Sequence, residues 1–236
     1  MSIKTVGFDL FGTLVEAKAD QETCVYSMCN YLQECGYLFN GKEFFKNYRN
    51  VTTKHRKKRH DDLREVNNCV WVSETLAQMG IVDTQPIDIE SAVDTYFSNW
   101  QINLFPEALK TLKTLRTRYK IVLVSNFTDS IFLNKTIRDL GIKTYLDHVI
   151  DSDSFGWRKP HPKIFKHFLK ISNTKPEEAV FVGDELKTDI RGAKNLKIKT
   201  ILLDRRQNFK KQNNMGILPD IIVDSLIECR KILLDM

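Results

Sequence analysis

The chain has 236 residues, with 36 Lys and Arg against 30 Asp and Glu, 42% apolar residues, 10 Gly and 6 Pro. This composition excludes a disordered or collagen-like polymer, and the length suits one large domain or one domain carrying a sizeable insert. Apolar runs such as IVLV at 121–124 and AVFV at 179–182 fall far short of the roughly 20 residues a membrane span needs, so a soluble protein with no membrane partner is expected.

The opening MSIKTVGFDLFGTLV reads as a first β-strand over 5–8. Asp9 interrupts its apolar run and no small-residue cleavage site follows, which argues against a secretory leader. From 16 to 100 no Val/Ile-rich run is bounded by turns, and helical spacing of apolar residues predicts helices over 22–35, 42–59, 63–79 and 87–100, broken at Gly36, Gly80 and Pro86. From 104 onward the rhythm alternates: helix 106–118, strand 120–125, helix 129–140, strands 148–150 and 179–182, helix 188–196, strand 199–203 and a closing helix 225–236. Strands separated by helices imply βαβ units and a parallel sheet covered on both faces. The expected fold class is therefore α/β: a Rossmann-like core from residues 1–15 and 101–236, interrupted after its first strand by an all-α segment over 16–100.

Charge follows the same division. Residues 16–100 hold 10 Lys/Arg and 13 Asp/Glu, a net −3, whereas the remainder holds 26 and 17, a net +9. A basic core suits a small anionic substrate. The run KHRKKRH at 54–60 has no interleaved aromatics and reads as a solvated helix face, so no nucleic-acid partner is expected. Cys24, Cys29, Cys35, Cys69 and Cys229 form neither a disulfide framework nor a zinc spacing, which fits reduced thiols in a cytoplasmic protein. The five histidines show no metal-ligand spacing; His161, beside Lys159, is placed either to approach the site or to cap a helix over 162–170.

Four features fall at ends of predicted strands, where ligands bind in open parallel sheets. Asp9 follows the first strand and is itself followed by Gly12 and Thr13, where the backbone must turn tightly; a carboxylate there suits a nucleophile, and equally a turn cap. Ser125 and Asn126 offer a hydroxyl and an amide to an anion. Lys159, in GWRKPHP, supplies a cation next to a nucleophile or a transferring group. VGDELKTD places Asp184 at a strand tip and Asp189 five residues later, and Asp9 with Asp184 suits a shared hard cation such as Mg²⁺.

Taken in order, Asp9 with Gly12-Thr13, Ser125 after a strand, Lys159-Pro160 and Gly183-Asp184 with Asp189 resemble the haloacid dehalogenase-like hydrolases over the whole chain. DIRGAKN at 189–195 and PEALKTLKTL at 106–115 share that resemblance. It implies a C1-type helical cap over 16–100 that selects substrate. It also implies Asp9 as the residue forming a covalent intermediate, and Ser125 and Lys159 as binders of phosphate or intermediate, with Gly12, Thr13 and Asn126 around the substrate. Mg²⁺ would lie on Asp9, Asp184 and the Phe11 main-chain carbonyl, with Glu185 and Asp189 behind them. The family's dimers imply a monomer or homodimer here, and no apolar stripe decides between them.

One departure matters. Phosphatases that this chain resembles carry a second Asp two residues after the nucleophile, acting as general acid and then base; here that position is Phe11. Such help is worth about 10²- to 10⁴-fold and matters most for poor leaving groups. Three readings stand. The resemblance to 2-haloacid dehalogenases explains an aromatic at this position, since halide leaves without a proton; against it are Gly183-Asp184 and the lack of any Arg between Asp9 and Arg49. A Mg²⁺-dependent phosphatase acting on an acidic leaving group, or on a substrate that supplies its own proton, explains the retained Gly-Asp; Glu185 and Asp153 are its surrogate acids. A degenerate binding protein explains Phe11 and leaves Asp9, Lys159 and Asp184 without a reason. Tyr26, Arg49 and Lys54 are candidates for substrate selection by the helical segment.

Overall fold

The computed structural model describes residues 2–207, 209 and 216–236. The chain divides into two units, one comprising the chain up to Glu16 and from Asn103 onward, the other Ala17–Ile102. The larger unit is built on β1 (Thr5–Phe8), β4 (Lys120–Ser125), β5 (His148–Asp151), β6 (Ala179–Gly183), β7 (Lys199–Leu203) and β8 (Ile221–Val223). These strands form one sheet in the order β5-β4-β1-β6-β7-β8, every pair parallel. A separate two-stranded ribbon joins β2 (Val15–Lys18) to β3 (Gln101–Leu104).

The strands that matter for the site are covered on both faces, which is why they read as continuous apolar runs rather than alternating ones. Val6, Phe8, Val122, Val124, Val180 and Phe181 are fully buried. Phe165 and Phe168 of the helix Pro162–Ser172 meet Phe181 edge to face, with centroids 5.1 and 6.0 Å away. That helix begins as its sequence demands: Pro162 stands in the first turn and His161 Nδ1 accepts from the Lys163 amide at 3.1 Å. Register brings the carboxyl ends level, since Phe8 sits opposite Leu123 on one side and Val182 on the other.

The smaller unit holds four helices: α1 (Gln21–Glu34), α2 (Gly41–Asp62), α3 (Asn68–Gln78) and α4 (Pro86–Ser98). Asp20, Asn40 and Asn67 accept backbone N–H groups at the first three N-termini. Within the run at 54–60, only His55 is buried, its Nε2 2.6 Å from Glu74, and Lys54 pairs with the same carboxylate at 2.6 Å. Tyr26 stacks on Phe45 at 5.5 Å.

Several boundaries differ from the sequence expectation. The helix expected from 63 starts at Asn68, because α2 continues to Asp62, ends on a left-handed Leu63 (φ 56°), and leaves Asn67 to cap the next helix. The helix expected over 106–118 spans only Ala108–Leu115. The one expected over 188–196 is a π-helical turn, Leu186–Ile190, followed by Arg191–Lys194. The ribbon and the short β8 have no counterpart in the sequence reading; strands of three or four residues leave too little periodicity to read. Among the described residues, Cys24, Cys29, Cys35, Cys69 and Cys229 are not joined in disulfides. Among the described residues no helix is long and apolar enough to cross a membrane.

Candidate active site

Because β1 lies between β4 and β6, the residues that follow these three strands converge at one edge of the sheet. Asp9 leaves β1 with its amide donating to the Val182 carbonyl of β6 at 3.0 Å, so its backbone is held by the neighbouring strand. Its side chain is nearly buried and receives the Lys159 ammonium at 2.6 Å. The same ammonium reaches Asp189 Oδ1 at 2.8 Å. Lys159 is 2% exposed, a buried cation answered by two carboxylates.

Asp184 completes the group: one oxygen each from Asp9, Asp184 and Asp189 lie within 4.8 Å of one another. The backbone is shaped around them. Gly12 has φ +83°, and a Cβ there would collide with Asp184 Oδ2. A Cβ on Gly183 would collide with Asp189 Oδ2. Both carboxylates thus occupy space that only glycine leaves open. Thr13, fully buried, places its hydroxyl 3.4 Å from Asp184 Oδ1.

Electrostatics mark this group as under-compensated. Burial raises the Asp9 carboxyl to about 6, the Lys159 charge pulling it down and the Asp189 charge pushing it up. Burial likewise raises Asp184 to about 8, with the charges of Asp9 and Asp189 adding to it. For Lys159, burial works against the charged form, and the charges of Asp189 and Asp9 outweigh it, so its pKa is raised. Three carboxylates facing one ammonium make a donor set of hard oxygens short of positive charge, which fits a divalent cation.

An acid whose pKa is higher in the folded than in the unfolded state binds more protons when folded, so stability falls as pH rises between those two values. For Asp184 that window runs from the ordinary 3.8 to about 8. In chelator, the melting temperature followed by circular dichroism is expected to fall from about pH 5 to about pH 8, and Asp184→Asn to flatten that slope. An equal slope in the variant would contradict the assignment.

The remaining expected residues fall around this centre. Ser125 ends β4, is 1% exposed, and its Oγ has no hydrogen-bond partner. A buried hydroxyl without a partner is a donor awaiting an acceptor. The Asn126 side chain is engaged twice by the Lys159 backbone, donating to its carbonyl at 2.9 Å and accepting from its amide at 2.7 Å. Asn126 therefore fixes the segment that carries the lysine, whose Lys159-Pro160 bond is cis. Asp189 also accepts from the Glu185 amide at 3.1 Å. Glu185 is exposed, with Thr188 Oγ1 at 3.3 Å, and Asp153 accepts from the Ser130 amide at 2.9 Å, capping work for a residue considered as a surrogate acid. Trp157 stacks on His161 at 3.9 Å and under the Lys163 ammonium at 4.1 Å.

Phe11 stacks on Phe127 with centroids 5.2 Å apart and planes 20° from parallel, and Phe127 stacks in turn on Phe132 at 6.1 Å. Two residues from Asp9, where a phosphatase would place an acid, the chain presents the end of an aromatic stack. Phe127 and Arg205, whose guanidinium nears the Thr13 carbonyl, escape the sequence reading. Neither belongs to a motif, and no spacing links them to Asp9.

Comparison with known proteins decides the family, since the haloacid dehalogenase-like hydrolases match residues 3–197. The chain belongs to that family. A glyceraldehyde 3-phosphate phosphatase of Pyrococcus furiosus is 44% identical over 96 residues, 41% of this chain and 40% of that protein. The match therefore spans less than half the length of that relative. A ribulose-1,5-bisphosphate 5-phosphatase of Halopiger xanaduensis is 28% identical over 200 residues, covering 84% of this hydrolase and 83% of the relative. In fold, this haloacid dehalogenase-like hydrolase resembles a 2-haloacid dehalogenase from Pseudomonas syringae pv. Tomato DC3000, with a TM-score of 0.76 at 19% identity over 99% of each chain.

Proposed function

We propose that this hydrolase is a Mg²⁺-dependent phosphatase of small phosphorylated metabolites, working through a phosphoryl group carried on Asp9. The observation that supports this most is the carboxylate trio around Lys159. Displacing a halide from a 2-haloacid needs no cation, and three carboxylates at the reacting point would repel such a substrate's own carboxylate; a phosphate joined by a divalent cation relieves the same charge. The names of the two relatives lend support to sugar phosphates as the substrate class.

In this reading Asp9, Asp184 and the Phe11 carbonyl hold Mg²⁺, which when bound would neutralise the phosphoryl oxygens and the crowded carboxylates. An Asp9 carboxylate oxygen attacks phosphorus and the bond from phosphorus to the leaving oxygen breaks. Water then attacks the aspartyl phosphate, releasing inorganic phosphate and restoring the carboxylate. Lys159 keeps Asp9 ionised and aimed: burial drives the carboxyl upward, and the ammonium beside it pulls it back to about 6, below neutrality. Asn126 holds Lys159 in place, and the free Ser125 hydroxyl donates to a phosphoryl oxygen. Asp189 anchors the far side of the ammonium. The helical segment over 16–100 acts as the cap that selects substrate.

Phe11 is the specific observation behind a second reading. An aromatic wall at this position suits a departing halide, which needs no proton. One assay separates the two. Phosphate release is measured from an aryl phosphate, glyceraldehyde 3-phosphate and ribulose 1,5-bisphosphate, with Mg²⁺ or chelator, beside halide release from 2-chloropropionate. Magnesium-dependent phosphate release is the expected result; halide release alone, indifferent to chelator, would overturn the proposal in favour of dehalogenation.

A further inference from the structure

Arg205 stands two residues beyond β7, and the chemistry above gives it no task. Its guanidinium lies 3.7 Å over the Phe105 ring, Nη1 donates to Glu107 at 2.7 Å, and Nη2 reaches the Thr13 carbonyl at 3.4 Å. Its Nε is buried without a partner. An orphaned buried donor is unfavourable, so the stack and the two fork contacts hold the group there against that cost. An exposed ion pair contributes little and would be easily replaced, whereas this side chain is 22% exposed, planar on a ring and bound at both terminal nitrogens.

Thr13 gives the arrangement its meaning. Its carbonyl faces Arg205, while its hydroxyl faces Asp184. The next residue, Leu14, accepts the Phe105 amide at 3.0 Å, and Gly12 donates to Val15 at 2.7 Å. The turn that brings Phe11, Gly12 and Thr13 up to Asp184 is thus fastened on its outer side to the 105–107 segment, and Arg205 is the side chain that joins the two.

We propose that Arg205 is a positioning residue for the cation site: by clamping the Thr13 carbonyl against Phe105 and Glu107 it holds the 11–13 turn in register with Asp184. The inference rests on the reading that this site binds Mg²⁺.

The test is calorimetric titration of the full chain with Mg²⁺ alone, without substrate. Arg205→Met and Arg205→Lys are each expected to weaken Mg²⁺ binding by about 10-fold or more, as loss of a group that orients metal ligands does. Lysine should fail like methionine, because it keeps the charge but not the planar fork. Arg205→Ala should regain part of its Mg²⁺ affinity when guanidinium is added below denaturing concentration. Leu233→Ala, a cavity in the closing helix Leu226–Leu234, controls for lost stability and should leave Mg²⁺ affinity unchanged. Should Arg205→Met fail to fold, Arg205→Lys carries the test. Wild-type affinity in a folded Arg205 variant, or equal weakening in Leu233→Ala, overturns this inference alone. A wild-type chain that binds no Mg²⁺ defeats the cation reading itself.

Discussion

Replacing Asp9 by asparagine is expected to abolish turnover, by at least about 10⁴-fold, while the protein remains folded. The amide has the shape of the carboxylate, so the backbone bond from Asp9 to Val182 and the packing of Phe8 and Leu10 survive. Two things are lost. The amide cannot attack phosphorus, and Lys159 loses its ion pair with Asp9 and keeps the one with Asp189 within a buried site. Phosphate release from an aryl phosphate in saturating Mg²⁺, with circular dichroism to confirm folding, makes the check. Activity within about 10-fold of wild type in a folded variant would remove Asp9 from the nucleophile's place.

The second large effect runs the other way. Phe11→Asp is expected to raise kcat/KM on alkyl phosphates by about 10²-fold relative to aryl phosphates, because a carboxylic acid two residues from Asp9 can protonate a departing alkoxide. An aryl leaving group needs that proton least, so the ratio between the two substrate classes isolates the chemical gain from any general loss. The substitution also ends the stack on Phe127, a loss of about 0.5–1.5 kcal/mol beyond buried area, which should appear as a lower melting temperature. A ratio unchanged in a folded variant would mean that Phe11 serves packing alone. A ratio that rises as expected would mark the wild-type protein as limited to substrates that leave readily or supply their own proton.

Much of the fold is legible because its causes are local. The core strands are covered on both faces, and that demands unbroken apolar runs such as KIVLVS and AVFVG. Asn40 and Asp129 stand where helices begin, and each bonds the turn it precedes. The errors have local causes too. Leu63 ends α2 in a left-handed conformation that nothing in an apolar side chain announces. The π-helical turn at Leu186–Ile190 could not be told from an ordinary helix start, because side-chain spacing over five residues does not separate the two.

For the site, the order of motifs along the chain singled out Asp9, Ser125, Lys159, Asp184 and Asp189 as candidates, and the family resemblance they carry implied their roles. Their grouping depends on strand order, which is a property of the whole sheet. β1 lies between β4 and β6, so Thr13 meets Asp184 across 171 residues, and Asn126 after β4 holds the backbone of Lys159, whose ammonium meets Asp9 across 150 residues. The sharing of one ammonium by Asp9 and Asp189, the stacking of Phe11 on Phe127 and the clamp of Arg205 on the Thr13 carbonyl belong to the same class. Residue type and spacing determined which groups this chain can bring to its chemistry, because strand ends and turns are set by neighbours in sequence. Which of those groups touch, and how burial then shifts their charges, was decided only when packing of the sheet placed distant segments side by side.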